Sequence, residues 1–202
     1  MPVLSREEFD AIEFDAAASG DHQTAARRMS KLAVIGTQSE TMPRSEAFLR
    51  AGEQWLMADD PAAAASGFRL AMADGGPVFV DPRVPLARAL FLMDKPAEAQ
   101  SLLDKLKAEG RRDPRMCDLV AELLVERSDL PGALDWATAG VELCLGRRRG
   151  SEGAPQPGPA PGPTNGRDDA EAELRLLLSL RYRIRNDLGL PEDSYDALLD
   201  EA

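Results

Sequence analysis

The stretch FLRAGEQWLMADDPAAAASGFRLA, which runs from Phe48 to Ala71, contains two short helical patterns that are separated by a polar turn. In the first pattern, apolar residues recur at three- and four-residue spacing, which is typical of the buried face of an α-helix. The turn is Asp59-Asp60-Pro61, and proline favours the first turn of the helix that follows it. In the second pattern, Ala64, Phe68 and Ala71 fall on one helical face. The stretch therefore predicts two helices that are joined by a tight turn.

The same arrangement recurs along the chain. An alanine in the second helix recurs at separations of 39, 35 and 34 residues, at Ala25, Ala64, Ala99 and Ala133. A polar residue recurs in the turn before it, at Asp21, Asp60, Lys95 and Asp129. Repeats of this length are typical of stacked helix pairs, so the sequence predicts four pairs within about residues 5–145.

These positions resemble the tetratricopeptide repeat (TPR). The small pair Ala51-Gly52, the aromatic Trp55 and the column Ala64, Phe68 and Ala71 carry the resemblance. The other units depart from the pattern, since Glu13, Ala87 and Ala121 stand where the best unit has glycine.

The TPR resemblance implies an all-α fold, namely a right-handed α-solenoid of about four TPR-like helix pairs with a C-terminal capping helix. Because arginine far outnumbers lysine and alanine is abundant, the chain also resembles actinobacterial repeat proteins. The alternative is a generic helical bundle whose alanine spacing coincides with the repeat by chance.

The resemblance also implies a concave groove that is lined by the first helix of each pair. The positions that match its lining are Phe14, Leu49, Glu53, Leu56, Arg88, Phe91, Asp118 and Glu122. Lysine and asparagine clamps for a peptide carboxylate are missing from these positions, so that ligand class is disfavoured. The acidic side chains favour another protein or peptide with a basic or amphipathic segment. The alternative is that these residues form ordinary solvated helix faces.

Composition excludes several other partners. The formal net charge of −11 disfavours nucleic acid, because an acidic surface repels phosphates. No run of about 18 apolar residues predicts a membrane span, and the first residues lack a signal-peptide pattern. We therefore expect a cytoplasmic protein, in which Cys117 and Cys144 are reduced core residues.

The sequence predicts no enzyme activity. His22, in a predicted turn, is the one histidine of the chain, so acid–base catalysis and metal ligation by imidazole are disfavoured. Gly75-Gly76 is interpreted as a helix stop, because no phosphate-binding Lys-Ser or Lys-Thr follows any glycine-rich stretch. We expect neither a cofactor nor a metal.

The composition changes after the fourth pair. We predict a TPR-like repeat domain at 1–146, a Pro/Gly-rich disordered linker at 147–167, a capping helix at 168–190 and an acidic tail at 191–202. The tail carboxylates are expected to pair with arginines of the capping helix, which are Arg175, Arg181 and Arg185. Two alternatives to a plain binding module are a regulatory protein that is gated by its linker and last helix, and a self-associating structural protein.

Overall fold

The computed structural model describes residues 2–110, 113–152 and 166–199. Within these ranges the chain is all-helical, as predicted, and it contains no strand beyond an isolated bridge between Val3 and Thr37. The α-helices are α1 Arg6–Ser19, α2 His22–Ile35, α3 Arg44–Met57, α4 Pro61–Asp74, α5 Arg83–Leu92, α6 Pro96–Ala108, α7 Pro114–Glu126, α8 Leu130–Glu152 and α9 Gly166–Asp187. A 3-10 turn at Asp196–Leu199 follows them.

The chain forms two compact units, Met1–Ala108 and Glu109–Ala202. In the first unit, which contains α1 to α6, each helix packs against the helix that precedes or follows it. In the second unit, α7 packs against α8, and α9 packs against both. Packing between neighbours in the sequence is the pattern expected of a helical repeat.

The turn inside each helix pair contains one residue with a positive φ, of 57° to 74°, at Gly20, Asp59, Asp94 and Ser128. The next residue is the column predicted from the repeat, and its aspartates cap the second helix. The side chains of Asp21, Asp60 and Asp129 accept backbone N–H bonds of 2.9 to 3.1 Å from the residue three positions later. The repeat in the sequence therefore specifies a repeated turn, since such caps satisfy otherwise unpaired donors.

Helices α3 and α4 pack closely against each other through small residues. Ala64 and Phe68 are fully buried, and a Cβ added at Gly52 would lie 2.5 Å from Cε1 of Phe68. Gly52 therefore lies at a close contact between the two helices. Trp55 joins this pair to α2, because its indole Nε1 donates to the hydroxyl of Ser30 at 3.0 Å.

The C-terminal boundaries differ from the prediction. Helix α8 continues to Glu152, past the predicted start of the linker at 147, and α9 runs over Gly166–Asp187. The rest of the predicted linker, at 153–165, lies outside the described residues, as does the end of the predicted acidic tail at 200–202. Helix α9 buries an apolar stripe that consists of Leu174, Leu177 and Leu178.

Candidate functional site

The eight predicted groove residues fall into three classes of exposure. Three are exposed, namely Phe14, Arg88 and Glu122, and four are half-buried, namely Glu53, Leu56, Phe91 and Asp118. Leu49 is only 1 % exposed, so a partner cannot contact it and its assignment to the groove is wrong. The reason is that α3 packs between α2 and α4, which buries a wider arc of this helix than a single apolar stripe.

An ion network joins α1 to α3 in the first unit. The guanidinium of Arg50 on α3 lies 2.6 Å from a carboxylate oxygen of Asp10 and 2.5 Å from one of Glu13, both on α1. It also lies over the ring of Phe9, 5.6 Å from its centroid. Burial alone would lower the pKa of Arg50, but its hydrogen bonds to Glu13 and Asp10 raise it. The network links the first helix of one pair to the first helix of the next pair.

Glu53 on α3 lies close enough to this network for its pKa to depend on Glu13 and Arg50. Burial and, to a smaller extent, the negative charges of Glu13 and Glu46 together raise the pKa of Glu53 to about 7, against the opposing effect of Arg50. This carboxyl therefore gains or loses its proton near neutral pH, and a cation placed beside it would favour the charged form.

In the second unit, Asp118 has a similar environment. Burial, together with the charges of Glu122 on the same helix and Glu173 on α9, raises the pKa of Asp118 to about 6. The structure thus brings the two predicted acids of α7 together with an acid of α9 that the sequence analysis did not include. The spacing of residues along α7 could not predict the position of Glu173, because Glu173 lies on α9, more than forty positions further along the sequence.

Replacing Glu53 by a neutral side chain is predicted to raise the free energy of unfolding by an amount that depends on pH. In the protein, the raised pKa means that the folded state holds a proton which the unfolded state has lost, so stability falls as pH rises from about 4.5 to about 7. We expect Glu53→Gln to match the unaltered protein near pH 4.5 and to exceed its free energy of unfolding by about 1–2 kcal/mol above pH 7. Urea unfolding at pH 4.5, 6 and 8 measures this difference.

Glu40→Gln is the matched control, because it makes the same chemical change at an exposed position of the same unit. A gain for Glu53→Gln that is equal at pH 4.5 and pH 8 would show that the substitution acts through packing rather than charge.

The sequence did not predict a cleft near the start of α3. A cavity of about 360 Å³ lies between Arg6, Glu46 and the exposed ring of Phe79. The backbone N–H of Phe79 donates to the carboxylate of Glu46 at 2.9 Å, and the hydroxyl of Ser45 donates to the carbonyl of Pro77 at 2.7 Å. The segment after α4 carries no helical period, which is why its position against α3 could not be read from the sequence.

His22 is placed differently from its predicted position in a turn. It is the first residue of α2, it is half-buried, and its Nδ1 lies 3.0 Å from Oε1 of the buried Gln54. The packing of α2 on α3 explains this position. In the part of the chain that the structure describes, no three His, Cys, Asp or Glu residues are grouped so that they could hold a metal ion.

Comparison of the chain with models of protein families, with curated proteins and with solved structures gave no match. The likeness to the tetratricopeptide repeat therefore rests on the residues and turns described above. Over residues 2–110, 113–152 and 166–199, no helix has both the length and the apolar composition needed to cross a bilayer.

Proposed function

We propose that this chain is a non-catalytic protein-binding module of the TPR type, a right-handed α-solenoid of about four helix pairs that α9 caps. The shared turn geometry of the four pairs supports the repeat, because each turn combines a positive-φ residue with the same capping column. The burial of Leu174, Leu177 and Leu178 supports the capping role of α9. The cytoplasmic location stays a prediction from the sequence.

The proposed contact surface in the first unit, the first-helix surface, consists of Phe14 on α1, Glu53 and Leu56 on α3, and Arg88 and Phe91 on α5. The observation that carries it is the 75 % exposure of Phe14, a large aromatic side chain at the predicted groove position of the first pair. An exposed aromatic residue is a strong candidate for a binding anchor. Asp10 and Glu13 share the single charge of Arg50, so a net negative charge remains beside Glu53, which favours a partner segment that is basic or amphipathic.

Removing the aromatic anchor tests this surface. We expect Phe14→Asp to abolish enrichment of a partner from native lysate, while the far-UV circular dichroism stays unchanged because the side chain is already in water. Val34→Asp is the matched control, since Val34 is 64 % exposed on α2, the second helix of the same pair. A partner that is retained by Phe14→Asp and lost by Val34→Asp would move the binding site to the second helices and refute the first-helix surface.

Charge reversal tests the chemistry of the partner. Glu53→Arg is expected to weaken binding of a basic segment, and Glu40→Arg, at an exposed position of the same unit, is the control for total charge. Glu122→Arg asks the same question of the second unit. Equal binding by all three variants would exclude a basic partner at these helices.

Self-association is the second candidate function, and Leu176, which is 63 % exposed on α9, is the residue at which to test it. Sedimentation of the full chain at high concentration separates it from the leading proposal, because a strictly monomeric chain cannot be a self-assembling structural protein. The gated alternative requires α9 to leave its site, and the burial of its apolar stripe weighs against that.

A further inference from the structure

The residues after α9 fold back onto it. The chain reverses at Gly189, which has a φ of 66°, and the carboxylates of Asp193 and Asp196 then meet two arginines of α9. Arg181 lies 2.5 Å from Asp193 and 3.2 Å from Asp196, while Arg185 lies 2.9 Å and 3.1 Å from the same two residues. The predicted pairing of the tail with the last helix is confirmed at Arg181 and Arg185.

The side chain of Arg181 contacts α8, two carboxylates of the tail and an aromatic ring. Its Nε donates to the hydroxyl of Thr138 on α8 at 3.1 Å, and its two terminal nitrogens donate to Asp193 and Asp196. The guanidinium also lies 4.7 Å from the ring centroid of Tyr195, and its side chain is only 4 % exposed. A planar fork of donors that meets two carboxylates and an aromatic face is the geometry by which arginine recognises acidic ligands.

The tail presents its two carboxylates in a fixed conformation. The backbone N–H of Asp193 donates to the carboxylate of Asp196 at 2.8 Å, and the N–H of Tyr195 donates to that of Asp193 at 3.0 Å. The hydrogen bond from Arg181 lowers the pKa of Asp193 to about 2 in spite of partial burial. The four residues from Asp193 to Asp196 therefore form a preorganised, doubly charged unit.

Apolar anchors contribute little to this attachment. Within the turn Asp196–Leu199, the buried residue is the charged Asp196, while Leu198 and Leu199 are only half-buried. Tyr195 adds a hydrogen bond from its hydroxyl to Glu142 at 3.3 Å. A contact made mainly of ion pairs and hydrogen bonds can be replaced by another segment that offers the same groups.

We propose that Arg181 and Arg185 form a binding site for an acidic peptide segment, and that Asp193–Asp196 is the intramolecular occupant of that site. The segment it fits carries two carboxylates three positions apart, with an aromatic residue directly before the second. This site is separate from the first-helix surface and does not rest on the function proposed for it.

The test uses the full chain and a labelled peptide with the sequence of residues 191–199, PEDSYDALL. In the protein, Asp193→Asn with Asp196→Asn removes the competing carboxylates and leaves both arginines in place. Fluorescence anisotropy is expected to show that this double variant binds the peptide at least ~10-fold more tightly than the unaltered chain, because a tethered occupant competes at a high effective concentration. A peptide with asparagine at both aspartate positions is expected not to bind.

Two further variants control the result. Asp187→Asn, at an exposed position of α9, is expected to behave like the unaltered chain. Adding Arg185→Gln to the double variant is expected to abolish peptide binding. If the double variant loses its helical circular dichroism, Asp193→Asn alone decides, since Asp193 is the more exposed of the two acids.

The proposal is overturned if the folded variant binds neither peptide, or binds both equally. Loss of helical structure in both the double and the single variant would also overturn it, because the turn would then be part of the core and not a displaceable ligand. Sedimentation of the unaltered chain identifies the source of the segment. A dimer that the double substitution dissociates indicates the tail of a second copy, and a monomer excludes a second copy as the source.

Discussion

Phe68→Ala is expected to lower the free energy of unfolding of the first unit by about 3–5 kcal/mol. Phe68 is fully buried on α4, and its ring lies against the backbone of Gly52, so the surrounding groups are already in close contact. Two helices that touch through glycine cannot move closer to fill the space left by the ring. The substitution therefore loses both the buried area and the contacts around the cavity. Urea unfolding with hydrogen exchange read in α3 and α4 measures the loss.

Phe14→Ala is the matched control, because it makes the same chemical change in the same unit at a side chain that is 75 % exposed. It is expected to change the free energy of unfolding by less than about 0.5 kcal/mol. Similar losses for the two variants would show that the α3–α4 interface is not tightly packed and would weaken the repeat interpretation.

Leu177→Ala is expected to destabilise the second unit by about 2–5 kcal/mol. Leu177 is fully buried on α9, and a Cβ added at Gly140 on α8 would lie 2.7 Å from its Cδ2. The substitution is expected to destabilise α7 and α8 together, since α9 packs against both. The fluorescence of Trp136, a buried residue of this unit, can be followed in a Trp55→Phe background during urea unfolding.

The adjacent residue supplies the control for this prediction. Leu176 is 63 % exposed, so Leu176→Ala is expected to have an effect below about 0.5 kcal/mol. The pair also bears on the gated alternative. If Leu177→Ala released α9 while the transition of Trp136 stayed unchanged, α9 would be a detachable lid rather than a structural cap.

Much of the local structure was predictable because the repeat acts through short-range chemistry. Asp21, Asp60 and Asp129 cap helices from within the turn, and a capping preference depends on residues three positions apart. The contact between Gly52 and Phe68 was predictable for a related reason, since small and large residues recur at fixed helical spacing. These features required no knowledge of the rest of the fold.

The candidate site was less predictable because burial depends on all neighbours of a helix at once. The register places Leu49 one turn from Glu53, yet Leu49 is in the core and Glu53 is only half-buried. The residues after α9 show the same limit of prediction from sequence. Charge alone predicts that it pairs with α9, but an exposed pair is worth only about 0–1 kcal/mol, and the burial of Arg181 and Asp196 could not be seen in the sequence.

The packing order of the helices has a consequence for synthesis on the ribosome. In the first unit each helix contacts the one before it, so every pair can fold soon after it emerges from the exit tunnel. The second unit differs, because α7 and α8 leave an apolar surface that α9 covers only after residues 153–165 have been made. Until α9 has been made, the nascent chain exposes the apolar surface that Leu177 will cover. This is the interval in which a chaperone would bind that surface.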